Sequence, residues 1–217
     1  LSDAVMFEML FPKEASFVVK AYEDFTLQSA TSIAERFGRD IGHISRVSSV
    51  ALEIYDKMKK LHGYKSRERT LLQVSAILQD IGKYVNVKNH ALLSYNTITN
   101  LDIVGINDHE RLIIATVCYY HNGNIPSMDS PIYNQLSQED RVMVSKLAAI
   151  LQISNAINTS HSPKFEQVSV NMKNGKLNIY LTTLKNINLE KWAFIAKSKL
   201  FREVYGLNAT IIKRGVL

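Results

Sequence analysis

From Ser66 to Ile81 the sequence is apolar on nearly every side of a helix. Leu71, Leu72, Val74, Ala76, Ile77, Leu78 and Ile81 cover most of its circumference. A helix with no face left for water belongs in the middle of a bundle, so other helices must surround it. A polar pair, Gln79-Asp80, closes this stretch, with Gly82 expected as the stop. A carboxylate is costly there: its surroundings are apolar, and the C-terminal end of a helix is already negative. Asp80 therefore requires a positive partner, either a metal ion or a cation of the protein.

The surrounding sequence supplies the other helices. Ser2 is placed to cap a short helix through Leu10, which Pro12 would break. A second helix is expected over Lys20–Phe37, stopped by Gly38. Asp40 then caps a long one to about Leu61, whose apolar positions Ile41, Ile44, Val47, Val50, Ile54, Met58 and Leu61 step by three or four. His62-Gly63 ends it. Shorter helices follow over Asn89–Thr99 and Asp108–Tyr120, then a loop over His121–Gln135. Ser137 caps a last long helix, Gln138 to about Asn158, with Val142, Val144, Leu147, Ile150, Leu151, Ile153 and Ile157 as its apolar set.

After Pro163 the character changes. "QVSVNMKNGKLNIYL" alternates on both sides of Asn174-Gly175, a hairpin signal. "LEKWAFIAKSKLFREVYG" reads as an amphipathic helix with Trp192, Ile195, Ala196 and Leu200 toward the core, and "NATIIKR" as a final strand. The expected architecture is mainly α: a helical bundle over residues 1–162, then a small ββαβ module of α+β type over 163–217. That module is basic. It holds ten Lys/Arg against three acids, while the rest of the 217 residues is nearly neutral, with 16 basic and 17 acidic. Such a tail suits a polyanionic partner, or only solubilises a small module.

No apolar run reaches 18 residues, and no basic-then-apolar leader opens the chain, so neither a membrane span nor a signal peptide is expected. Cys118 is the sole cysteine. It excludes an internal disulfide and a cysteine zinc cluster, and fits a cytoplasmic location. Leu1 in place of Met points to a processed chain or a piece of a longer one.

Several residues suited to chemistry fall at helix ends: His43, Asp80, His90, His121 and Asn155. Converging there, they could bind a divalent ion and activate water against a phosphate. Taken singly, each histidine is more often a hydrogen-bonded structural residue. His62, His109 and His161 read as surface or turn residues.

An early histidine, then "LLQVSAILQDIG", "KNHALLSY", "CYYHNG" and "KLAAILQISNAINTSH" in that order, resemble the HD-domain fold. The chain is more narrowly similar to the C-terminal helical part of the exopolyphosphatase/guanosine pentaphosphate phosphatase family. "LSDAVMFEML" resembles the stretch where that family leaves its actin-like catalytic half, so residues 1–12 are expected to be a linker helix. The HD pattern that binds metal is a histidine, an adjacent His-Asp pair and a distal aspartate. This chain has His43, but Gln79-Asp80 for the pair and Asn155 at the distal position. Lys88 and Leu93 stand where the family is usually richer in histidine, while His90 and His121 remain. Amide side chains are weak ligands, and one carboxylate cannot offset the charge of two divalent ions. The pocket of His43, Gln79, Asp80, Lys88, His90, His121 and Asn155 thus reads as degenerate. Asp80 is expected to pair with His43, Lys88 or another cation, and no metal is expected. An ion, if held, would use His43, Asp80, His90 and His121.

The resemblance implies a non-catalytic C-terminal region that binds inorganic polyphosphate or another polyanion and supports a homodimer. Its parent's missing half would use a divalent metal such as Mg. The polyanion residues implied are Lys173, Lys176, Lys191, Lys199, Arg202, Lys213 and Arg214. The alternative is a metal-dependent HD-type phosphohydrolase acting on a nucleotide or phosphoester. A nucleic-acid module is disfavoured, because the tail lacks an aromatic stacking row and any recognised motif.

Overall fold

Pro12 is the first residue of a helix in the computed structural model, which describes residues 12–173 and 175–215. Its fixed φ and missing N–H suit a first helical position. Helix α1 runs Pro12–Arg36, eight residues longer at its start than the periodicity suggests. The helix expected over Ser2–Leu10 lies outside the described residues.

Helix α2 (Ile41–Lys57) buries Ile44, Val47, Val50 and Ile54 as the spacing predicts. It breaks at Met58, and a separate turn, α3 (Lys59–His62), follows. The break turns the last residues off the apolar stripe, so Leu61 is exposed and His62 is buried instead. His62 is no surface residue: Nε2–H donates to the Tyr55 carbonyl at 2.8 Å, and Nδ1 accepts the Tyr64 N–H at 3.0 Å.

Helix α4 (Ser66–Leu78) is the all-round apolar segment. It packs against α1, α2 and the later helices over Asp108–Tyr120 and Gln138–Ile157, with Leu71, Leu72, Val74, Ala76, Ile77 and Leu78 buried. Glu68 accepts the Lys65 N–H at 2.8 Å and fixes its start. The helix ends at Leu78, and Ile81–Tyr84 form a separate 3-10 turn. Gly82 therefore does not stop α4; its role is close approach. A Cβ there would lie 2.2 Å from the His90 carbonyl oxygen and 2.5 Å from the Ser94 nitrogen. Ser94 Oγ ties this crossing by donating to the Gln79 carbonyl (2.8 Å) and accepting the Gly82 N–H (3.0 Å).

Helices α5 (His90–Ile98) and α6 (Asp108–Tyr120) lie close to the expected bounds. The expected loop from His121 contains one helical turn, α7 (Pro131–Asn134). Helix α8 (Gln138–Ile157) starts at Ser137, whose Oγ accepts the Asp140 N–H at 3.1 Å. Of its apolar set only Val142 is exposed.

Strands β1 (Gln167–Lys173) and β2 (Lys176–Thr182) form the expected hairpin, with Lys173 opposite Lys176 and Gly175 in the turn at φ +67°. Helix α9 (Asn188–Tyr205) leads to β3 (Asn208–Arg214), which pairs parallel to β2, giving the order β1-β2-β3. One buried apolar cluster runs from Ala30 through α8 to Phe201.

The face that α9 buries is not the expected one. Phe194, Leu200 and Phe201 are buried, while Trp192 and Ile195 are 79% and 72% exposed and Ala196 is exposed too. Glu190 and half-buried Lys197 share the inward side, and the Glu190 carboxylate meets Lys164 Nζ at 2.8 Å. Two charged residues on the core side disguise it in a hydropathy pattern.

Candidate functional site

Asp80 follows directly on α4 and is 7% exposed. Its Oδ2 receives Lys83 Nζ at 2.7 Å, from the 3-10 turn three residues on. Its Oδ1 faces His121 Nε2 at 3.2 Å and His90 Nε2 at 3.5 Å. Burial by itself would raise the Asp80 carboxyl. The hydrogen bond with His121 and the Lys83 ammonium outweigh it and hold Asp80 well below the usual carboxylate range. Lys83 lies in the stretch that posed the problem, while Lys88 is exposed, its N–H donating to Asn86 Oδ1 at 2.8 Å.

Both histidines are anchored from behind. His90 Nδ1–H donates to the Val87 carbonyl at 2.7 Å, and His121 Nδ1–H donates to the Cys118 carbonyl. That turns both Nε2 atoms to Asp80; with Nδ1–H so engaged, His121 Nε2 either donates to Asp80 as an imidazolium or, without that proton, offers its lone pair to an ion, the pattern of metal-binding histidines. Burial lowers the His90 pKa, so its Nε2 carries a lone pair toward the carboxylate. Ligand atoms of Asp80, His90 and His121 lie within 4.8 Å of one another. A tetrahedral site with bonds near 2.0–2.1 Å has ligand-to-ligand edges of about 3.3 Å, close to the spacings here. These three residues fit one divalent ion, and two imidazoles favour a transition metal over Mg. Among the described residues no second group of three such ligands is found, and Lys83 holds Asp80 Oδ2.

His43 does not join this group. It lines a cleft of about 310 Å³ with Arg39, Gln79, Asp80, Lys83 and His161. His161 is no plain turn residue: its ring stacks on His43 with centroids 4.1 Å apart, on a backbone at φ +52°. Burial, with His161 alongside, lowers the His43 pKa to about 4, so the ring is neutral at pH 7. Asn155 is half-buried and is not part of the cleft lining. His109 lies apart, on the Asp140 carboxylate at 3.0 Å.

Two cations had no signal in the sequence. Arg39 Nη1 donates to the Asp80 carbonyl at 3.3 Å. Lys197 reaches inward from α9; burial lowers its pKa, with Asp80 pulling the other way. Cys118 is buried, with Sγ–H on the Ser75 carbonyl at 3.3 Å, and burial raises its thiol well above the usual range; it is structural.

A family model described as Ppx/GppA phosphatase, domain III, matches residues 27–200. The chain belongs to the Ppx/GppA phosphatase family. The match runs from within α1 to most of α9, and so covers the Asp80 cluster and the cleft of this Ppx/GppA chain. Among its described residues no helix is long and apolar enough to cross a membrane.

The seven basic residues singled out in this Ppx/GppA chain are all exposed, and three of them, Arg202, Lys213 and Arg214, lie beyond the matched residues. Among the described residues only Lys199 has a carboxylate within 4 Å, Glu203 at 3.9 Å. They do not form one patch. Lys173 and Lys176 face each other at the hairpin turn, whereas Lys213 and Arg214 lie opposite Leu181 and Thr182. Those two ends of the sheet are about 20 Å apart at the usual rise per residue.

Proposed function

We propose that this chain is a non-catalytic C-terminal region of an exopolyphosphatase-like phosphatase, binding polyphosphate through its basic module and supporting dimerisation. The observation that carries this reading is the spread of exposed lysines and arginines over about 20 Å of the module, of which only Lys199 has a carboxylate within 4 Å among the described residues. A single phosphate cannot engage both ends of such a spread, but a phosphate chain can. The binding is then mostly counterion release, weakly selective and steep in salt. Fluorescence anisotropy with a labelled polyphosphate should show affinity falling about 10- to 100-fold between roughly 50 and 200 mM salt. Lys173→Ala/Lys176→Ala and Lys213→Ala/Arg214→Ala should each weaken binding and flatten the slope. Binding indifferent to salt, or to both double substitutions, would sink the reading.

One observation favours a second reading, a metal-dependent phosphohydrolase: the convergence of Asp80, His90 and His121. A divalent ion held there would supply Lewis-acid activation of water or of a phosphoryl oxygen. Elemental analysis of protein purified without chelator separates the two readings. Near one equivalent of transition metal, lost in Asp80→Ala together with any phosphoesterase turnover, supports the second. Sub-stoichiometric metal in folded protein supports the first.

A further inference from the structure

Buried side-chain polar atoms without a hydrogen-bond partner concentrate at one place. Of the nine such atoms among the described residues, five belong to three residues lining the cleft beside Asp80: Arg39 Nε, His43 Nδ1 and Nε2, and Gln79 Nε2 and Oε1. Gln79 is 1% exposed and His43 5%. Buried polar groups left unpaired are costly, so this wall is suited to a partner that both donates and accepts.

The unpaired atoms specify its chemistry. Arg39 Nε–H, the Gln79 amide N–H and one nitrogen of the neutral His43 ring donate. Gln79 Oε1 and the other His43 nitrogen accept. The ligand must therefore carry both acceptors and at least one proton. The charges facing the cleft and its rim are Arg39, Arg46 and Lys83 against Asp40 and Asp80; burial, with Lys83 and Arg39, outweighs the two carboxylates and keeps His161 below its ordinary pKa. Lys197 adds a further positive charge behind Asp80. Asp40 is offset by Arg46 at 3.9 Å and Asp80 by Lys83 at 2.7 Å, which leaves the Arg39 guanidinium without a carboxylate partner among the described residues.

We propose that this cleft is a binding site for free orthophosphate, held by Arg39, His43 and Gln79 beneath the ring of His161. At neutral pH orthophosphate carries negative oxygens for the donors and keeps at least one P–OH for Gln79 Oε1 or His43. Sulfate and a phosphomonoester dianion offer acceptors only, and each would leave the buried acceptors unpaired. A cleft of about 310 Å³ takes the ion with several of its waters. The five atoms are closed to solvent, and His161 stacks on His43 with ring centroids 4.1 Å apart, so binding requires side chains of the cleft wall to turn toward the ion. The site is distinct from the seven exposed basic residues and stands without the polyphosphate reading. Where that reading holds, orthophosphate is the product of the parent's hydrolysis, and the cleft senses it.

The test is a titration of the whole chain with sodium phosphate, at constant ionic strength and pH 7, followed by NMR of the Gln79 side-chain amide and Arg39 Nε–H. Saturable shifts of both are expected, with sulfate and methyl phosphate at least about tenfold weaker. Arg39→Gln and Gln79→Met should each weaken phosphate at least about tenfold. Lys173→Ala/Lys176→Ala should leave it unchanged while weakening polyphosphate, so the two proposals fail separately. Should Gln79→Met not fold, Arg39→Gln at the half-exposed rim decides. No saturable shift, equal response to sulfate, or unchanged phosphate binding in folded Arg39→Gln overturns the proposal.

Discussion

His43 sits in the first turn of α2 with both ring nitrogens unpartnered, and that fixes how the protein responds to acid. Its pKa, lowered by burial and by His161 to about 4, lies below the value near 6.5 of an unfolded chain. Above pH 6.5 the ring is neutral in both states and contributes no pH dependence. Between about 6.5 and 4 the unfolded chain binds the proton first, so stability falls with pH. His90 and His161 are lowered too and act in the same direction. Asp80 acts in another window. Held well below the ordinary carboxylate range, its contribution persists at pH 5 and is lost only at stronger acidity. Urea unfolding should therefore show a loss between pH 7 and pH 5, of which His43 accounts for about 1–2 kcal/mol. In His43→Gln that loss should shrink by the same amount. An unchanged pH profile in the variant would mean that the ring does not titrate as inferred.

The crossing of the 3-10 turn over α5 is the element on which the Asp80 cluster depends. It brings Lys83 back onto Asp80 within three residues and delivers His90 from the next helix. Gly82 permits it, since any Cβ would strike the backbone of His90 and Ser94, which cannot rotate away as a side chain could. Gly82→Ala should cost about 3 kcal/mol, seen as a lower midpoint in thermal or urea unfolding. It should also move the His90 ring resonances, because α5 has to back away. A near-neutral substitution would show that the turn and α5 are not held this tightly.

At the scale of the whole molecule, α9 presents an apolar surface on the outside. Leu184, Leu189, Trp192 and Ile195 are all more than half exposed, beside Lys191 and Lys199. Large exposed aromatics grouped with aliphatics mark association surfaces. The proposed dimer should use this face. Trp192→Lys/Ile195→Lys should halve the mass measured by light scattering across micromolar concentrations. The unfolding midpoint extrapolated to low concentration should not change, because neither side chain is in the core. A dimer unaffected by both substitutions would place the contact elsewhere.

Much of this architecture was legible along the chain. The all-round apolar α4, the Ser137 cap, the hairpin at Gly175 and the ββαβ order are local matters of periodicity and turn chemistry, settled within a few residues. The need of Asp80 for a cation was equally plain, being a property of one charge at one helix end. Which cation answered it was not. A 3-10 turn carries Lys83 onto Asp80, and Lys88, five residues further on, is left in water. The inward face of α9 was hidden for a related reason. Glu190 is buried because Lys164 reaches it, and Lys197 lies inward, within the field of Asp80. His161 and Arg39 join the cleft only because distant segments end side by side. The sequence alone determined the elements, since backbone hydrogen bonds and apolar spacing act over one or two turns. Tertiary structure alone decided the partners of the buried charges, since a charge leaves water only where the opposite charge is delivered, from however far along the chain.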